Sequence, residues 1–179
     1  MSIETLAHQG REHVHSGLAG IDGGKLRKLR SSQLQECFLH MDEVQYRREY
    51  VATIRNVDFV NDAASRNVNA TWYTLERIEG PVVWIAMGSE SPVDYAKLSD
   101  VVRRKVQGLI CVGGSSAKLH EAFDTEASQV TDAASLADAV HKAFYHYEGI
   151  KKIVFSPACD NGIPTVQLGA HFVRCVNEI

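Results

Sequence analysis

The side chains that could do chemistry sit in a few short segments: Asn61-Asp62, Gly88-Ser89-Glu90-Ser91, Gly113-Gly114-Ser115-Ser116 and Ser156-Pro157-Ala158-Cys159. A carboxylate such as Asp62, placed between an apolar run and a following helix, either accepts hydrogen bonds from a ribose or caps that helix. The sequence leaves the two open. Cys159 would act as a nucleophile only with a base within reach and a depressed pKa. His171, on the next helical stretch, is the one base nearby in sequence, and a structural thiol is the preferred reading. The V-G-G-S-S run over 112–116 offers backbone N–H groups to an anion. It matches neither G-x-G-x-x-G nor G-x-x-x-x-G-K-[ST], so a plain tight turn is preferred. Metal-binding histidines on a helix want a spacing of four so that both rings share a face. His8, His13 and His15 miss it, as do His141 and His146, which are expected to flank the core. The K-L-R-K-L-R run at 25–30 is a solvated helix face in a chain of net charge -3, not a nucleic-acid footprint.

These segments recur where apolar runs end. G-P-V-V-W-I-A-M-G, G-L-I-C-V-G-G and K-K-I-V-F-S are short, continuous apolar runs, as expected of strands buried on both faces. E-Y-V-A-T-I and V-D-F-V-N flank Arg55-Asn56 and read as a hairpin, since Asn tolerates the left-handed backbone of a tight turn. Helical periodicity fills the gaps. Val68, Trp72 and Leu75 share one face. S-P-V-D-Y-A-K-L-S-D-V-V-R-R-K is read as a helix capped by Ser91 with Pro92 in its first position. S-S-A-K-L-H-E-A-F, S-L-A-D-A-V-H-K-A-F-Y-H-Y and P-T-V-Q-L-G-A-H-F-V-R-C-V-N-E-I are further helices, and A-S-Q-V over 127–130 is a short strand. Strands alternating with helices imply a mostly parallel sheet covered on both faces, with ligands beyond the carboxyl ends of the strands. Residues 1–45 read instead as a helical arm, so the domains are expected at 1–45 and 46–179.

Composition is compatible with this and excludes several classes. Apolar residues make up 45% and charged residues 23% of the 179, ordinary for a globular chain. At this length a chain buries roughly 70% of its unfolded surface and needs no staples. The four cysteines form no C-x-x-C pair, so neither a disulfide framework nor a structural metal is expected. Cys111, inside an apolar run, is expected to be a buried inert thiol. No apolar run approaches the roughly 20 residues of a membrane span. The N-terminus has no basic segment followed by an apolar one, as a signal peptide would. The expected setting is the cytoplasm, without membrane or nucleic-acid partners.

Three segments in order carry a family resemblance. Y-R-R-E-Y-V-A-T-I-R-N-V-D-F-V-N-D-A-A-S-R-N, V-V-W-I-A-M-G-S-E-S-P-V-D-Y and V-F-S-P-A-C-D-N-G-I-P-T-V-Q-L-G-A-H-F resemble segments of the Mur ligase C-terminal domain. These are H-R-x-E-[FY]-V…N-D-S-K-A-T-N, W-I-x-G-G-x-D-K-G-x-D-Y and L-S-P-A-C-A-S-x-D…R-G-D-H-F. The match is greatest to the ligases that add D-glutamate. The resemblance covers about three-quarters of the chain and implies a three-layer Rossmann-like α/β sandwich. It implies nucleotide contacts, vestigial or retained, at Arg47 and Asp62. It also implies a ligand pocket drawn from Asn61, Arg66, Asn67, Ser89, Ser91, Ser156, Cys159 and Asn161.

The departures fall on the acceptor side of that pocket. The family's two lysines stand here as Ala64 and Ser91, its threonine as Arg66, its serine as Asn161 and its arginine as Leu168. A charge-assisted hydrogen bond to a carboxylate contributes roughly 1.5–3 kcal/mol, so these losses together would weaken D-glutamate binding by several orders of magnitude. No G-K-[ST] occurs in the chain. The expectation is a stand-alone, non-catalytic relative acting as a binding or regulatory module in cell-wall synthesis. No cofactor is expected to bind tightly, ATP or ADP remaining possible. Two alternatives stand beside it. One is part of a split ATP-dependent ligase, with a partner chain carrying the ATPase domain. The other is a sensor of a small anionic ligand, with Arg66 as the added cation. A cell-wall enzyme as partner and a homodimer are further expectations.

Overall fold

The computed structural model describes residues 45–179 apart from Gly114. The expected arm, its histidines and the K-L-R-K-L-R run lie outside the described residues, the arm's last residue excepted.

The apolar runs form strands as expected. β1 (Glu49–Ile54) and β2 (Val57–Asn61) make an antiparallel hairpin, and β3 (Val82–Met87), β4 (Val106–Val112), β5 (Val130–Ala133) and β6 (Lys152–Phe155) complete a sheet in the order β1-β2-β6-β3-β4-β5. Every pair but β1–β2 is parallel. Arg55 and Asn56 both take positive φ, 48° and 65°, the left-handed pair that a two-residue hairpin turn demands.

Alternation along the strands builds two cores. Val83, Ile85, Ile110, Ile153, Phe155 and Phe59 face one way. They meet α4 (Leu136–Tyr145) and α5 (Thr165–Asn177), and the Phe155 and Phe172 rings stack at 5.1 Å. Trp84, Ala86, Leu109, Cys111 and Val154 face the other way. They are covered by α1 (Val68–Arg77), a 3-10 turn (Tyr95–Leu98), α2 (Ser99–Lys105) and α3 (Ala117–Phe123). The result is the three-layer α/β sandwich with a mostly parallel sheet. Among the described residues no helix is long and apolar enough to cross a membrane.

Local chemistry sets the helix starts, and one expectation is corrected there. α1 begins at Val68 because Asn67 accepts from the Ala70 N–H at 2.9 Å. The carboxylate of Asp62 does not cap it. α4 begins after Ser135, whose hydroxyl accepts from the Asp138 N–H at 3.1 Å. The helix read from Ser91 starts later, as a 3-10 turn from Tyr95 continued by α2 from Ser99. Its first deeply buried anchors are Tyr95, Leu98, Val101 and Val102, whereas Ser91, Pro92 and Asp94 are exposed and only Val93 packs, in part, against the core. The short strand runs over Val130–Ala133 rather than 127–130, because its ladder pairs Leu109 with Val130. His141 and His146 are exposed rather than at the core's margin.

Gly108 in β4 lets the Tyr147 ring lie against the strand. A Cβ there would sit 2.1 Å from Tyr147 Cε1, and Tyr147 is itself buried. Gly108→Ala is expected to destabilise the domain by about 1–3 kcal/mol, as overpacking does. A urea-unfolding midpoint lowered at unchanged slope checks it.

Candidate functional site

The ends of β2, β6 and β3 converge on one patch of loops, and the polar groups there are satisfied mainly by each other. Asp62 follows β2 and has no solvent exposure. One carboxylate oxygen accepts the Arg48 N–H at 3.1 Å and the other accepts the Ser156 hydroxyl at 2.9 Å. The Ser156 hydroxyl in turn lies 2.8 Å from the Thr71 hydroxyl, and the Ser156 carbonyl accepts the buried Trp84 indole N–H at 2.8 Å. Burial pushes the Asp62 carboxyl above its ordinary range, opposed by the hydroxyls of Ser65, Thr74 and Ser156 and by the Arg48 N–H. Asn61, also without exposure, staples β2 to α5. Its amide donates to the Gly169 carbonyl at 3.0 Å and its oxygen accepts the Ala63 N–H at 3.2 Å.

The turn after β6 is held to its neighbours. Ala158 takes a left-handed φ of 62°, uncommon for a residue with a Cβ. Its N–H donates to the Ser65 carbonyl at 3.1 Å. The Cys159 thiol donates to the Met87 carbonyl at 3.3 Å. Burial pushes it upward, and His171 is exposed on α5. Cys159 is therefore a structural thiol rather than an activated nucleophile.

Arg66 is the hub of the exposed side. Its guanidinium pairs with Asp160, donates to the Ile163 carbonyl, and reaches Asn161 Oδ1 at 3.4 Å and the Thr165 hydroxyl at 3.5 Å. The Gly162 N–H and Arg66 together hold the Asp160 carboxyl below its ordinary value. Asn161 also faces Met87 Sδ at 2.8 Å and accepts the Ile163 N–H at 3.1 Å. Across the patch, Lys118 on α3 donates to the Glu90 and Ser91 carbonyls, each at 2.9 Å. A Cβ on Gly88 would lie 2.4 Å from the Ser115 carbonyl oxygen, so the loops after β3 and β4 abut.

The candidates thus form two groups and some outliers. Asp62 and Ser156 bond directly. Arg66, Asn161 and the turn carrying Cys159 make a second set around Met87. Asn67 is an exposed helix cap, Ser89 is buried and Ser91 is exposed. Arg47 is half-buried, and its Nε has no hydrogen-bond partner among the described residues. Leu168, where the family arginine would stand, is buried in the α4–α5 core. Sequence reasoning missed Asp160, Thr71 and Lys118. Asp160 and Thr71 lie 94 and 85 residues from the partners they meet, and no local pattern announces such pairs. A cleft of about 370 Å³ beside Arg48, Arg77 and Lys152 lies on the β1–β2 flank and shares no residue with the candidates.

Comparison with known proteins decides the family question. The chain is 33% identical over 159 residues to the UDP-N-acetylmuramoylalanine–D-glutamate ligase of Porphyromonas gingivalis, covering 89% of this chain and 35% of that enzyme. The same ligase of Christiangramia forsetii is 31% identical over 159 residues, covering 89% and 36%. This chain is a Mur-ligase-like C-terminal region. It spans about a third of the length of the curated relatives it matches. No family model matches it. The fold is shared with the bifunctional folylpolyglutamate synthase/dihydrofolate synthase of Yersinia pestis, at a TM-score of 0.52 and 17% identity, covering 72% of this chain and 31% of that one.

The Mur-ligase-like domain depends on Asp62 for its loop structure. Asp62→Ala removes the acceptor of the Arg48 N–H and of the buried Ser156 hydroxyl and is expected to cost about 1–3 kcal/mol. Asp62→Asn, which keeps an acceptor, should cost less. Because the folded carboxyl is raised, the unfolded chain releases this proton at lower pH than the folded one. The Asp62 contribution is therefore fully present at low pH and falls as pH rises through the raised value. Relative to Asp62→Asn, the parent chain should gain stability on acidification toward pH about 4, as read from urea midpoints across a pH series.

Proposed function

We propose that this domain has the architecture of the ligase C-terminal region without its acceptor chemistry. It has no ligase activity of its own and serves as a binding or regulatory module tied to peptidoglycan synthesis in the cytoplasm. The observation that carries this reading is the set of internal ties at the strand ends. Arg66 is engaged by Asp160, Ile163, Asn161 and Thr165, and Asn161 by Met87. An incoming carboxylate would have to displace these partners, and the positions that match the family's two lysines are Ala64 and Ser91.

The test is a ligation assay on the purified chain with Mg-ATP, UDP-N-acetylmuramoyl-L-alanine and D-glutamate, following phosphate release and product. No turnover above the protein-free control is the expected result. Steady product formation by the chain alone overturns the reading.

A second reading, a ligase split between chains, rests on Arg47, which stands at the position of the family's nucleotide-contacting arginine. Arg47→Ala should then lower the activity of the reconstituted complex about 10- to 100-fold, the size of one charge-assisted hydrogen bond. Unchanged activity would remove Arg47 from that role. The anionic-sensor reading requires the Arg66–Asp160 pair to open first.

A further inference from the structure

On the opposite side of the sheet from β2, three potential metal ligands of different chemistry meet. Cys111 in β4 and Asp132 in β5 are register partners on adjacent parallel strands, so their side chains leave the same face of the sheet. α3 crosses that face and lowers His120 between them. One ligand atom from each residue lies within 4.8 Å of the other two. His120 Nε2 is 3.1 Å from an Asp132 carboxylate oxygen, and Nδ1 is 2.9 Å from an Asp124 carboxylate oxygen.

We propose that Cys111, His120 and Asp132 form a binding site for a zinc-class divalent cation, with Asp124 as the outer partner of the imidazole. The inference is independent of the ligase reading.

Four observations support it. The donor set is one sulfur, one imidazole nitrogen and one carboxylate oxygen, which suits zinc and not the oxygen-seeking magnesium or calcium. Ligands of a tetrahedral zinc stand roughly 3.4–3.8 Å apart, from bond lengths of about 2.0–2.3 Å, so closure from the observed spacing needs only small side-chain movements. A ligating histidine generally gives its second ring nitrogen to a carboxylate, and Asp124 already holds that nitrogen. Access is also graded. Cys111 is fully buried, His120 is 29% exposed and Asp132 is 62% exposed, so an ion enters from solvent past the carboxylate and ends on the sulfur.

Lys142 is the cation facing this cluster. It donates to the Asp132 backbone carbonyl at 2.9 Å and is balanced by Asp138 at 2.8 Å, while the Asp132 carboxylate is held by the Ser116 side chain and by His120. Without an ion the thiol is pushed up to about 12, by burial first and then by Asp132 and Asp124. Binding forms the S–metal bond as the S–H bond breaks, with the proton passing to solvent. No change of oxidation state is involved. Water completes the fourth position, and the bound ion joins the edge strand β5 to β4 and α3.

The test is a Co²⁺ titration of the reduced, tag-free full chain, read by thiolate-to-cobalt charge-transfer absorption in the near ultraviolet. A band saturating at one equivalent and erased by Zn²⁺ is expected. Cys111→Ala should abolish it, and Asp124→Asn should retain it with affinity about 10- to 100-fold weaker. Asp132→Ala changes an exposed side chain and leaves the core intact, so it covers the case in which the Cys111 variant fails to fold. It should weaken affinity at least as much as Asp124→Asn. Absence of a thiolate band, a band that survives Cys111→Ala, or unaltered Co²⁺ affinity in Asp132→Ala overturns the proposal.

Discussion

A carboxylate without solvent exposure, Asp62 at the end of β2, must be satisfied from within the domain, and the strand-end loops are arranged around that demand. Burying an unpaired charge costs far more than a domain of this size can spare. The Arg48 N–H fixes the entry to β1, and the Ser156 hydroxyl fixes the turn after β6. Trp84 then holds the Ser156 carbonyl from β3. Three strands distant in sequence are joined through one polar chain, and Ala158 keeps its left-handed backbone because both flanks of its turn are tied.

On that frame the solvent side of the patch is closed by a second network centred on Arg66. Arg66 reaches Asp160, Ile163 and Thr165, and Asn161 reaches Met87. Exposed pairs contribute little individually, but here several ties act on one short turn. Lys118 pins the Glu90–Ser91 stretch from another direction. The strand-end loops are thus tied to one another by their own side chains.

Much of the fold was legible because local chemistry decided it. Buried strands announce themselves as apolar runs, Arg55-Asn56 announces a tight hairpin, and Ser135 marks a helix start. Ser91 and Pro92 carry the signature of a helix start, but over 91–94 only Val93 packs against the core, so the first turn forms later, at Tyr95. At the site, the strand ends were placed correctly, but the state of each side chain was not readable. Whether Asp62 faces solvent depends on Ser156, 94 residues away. The charge of Arg66 read as free because Asp160 joins it only in the folded chain. Cys111 is the buried thiol its apolar run announced, but its neighbours His120 and Asp132 come from a helix and another strand, at spacings no local pattern reveals.

The central claim is that the inherited acceptor site is closed by its own groups, and calorimetric titration of the purified chain with D-glutamate tests it most directly. The account predicts no saturable heat up to millimolar ligand. Saturable one-to-one binding in the micromolar range, weakened by substitutions at Ser91 or Asn161, would contradict it.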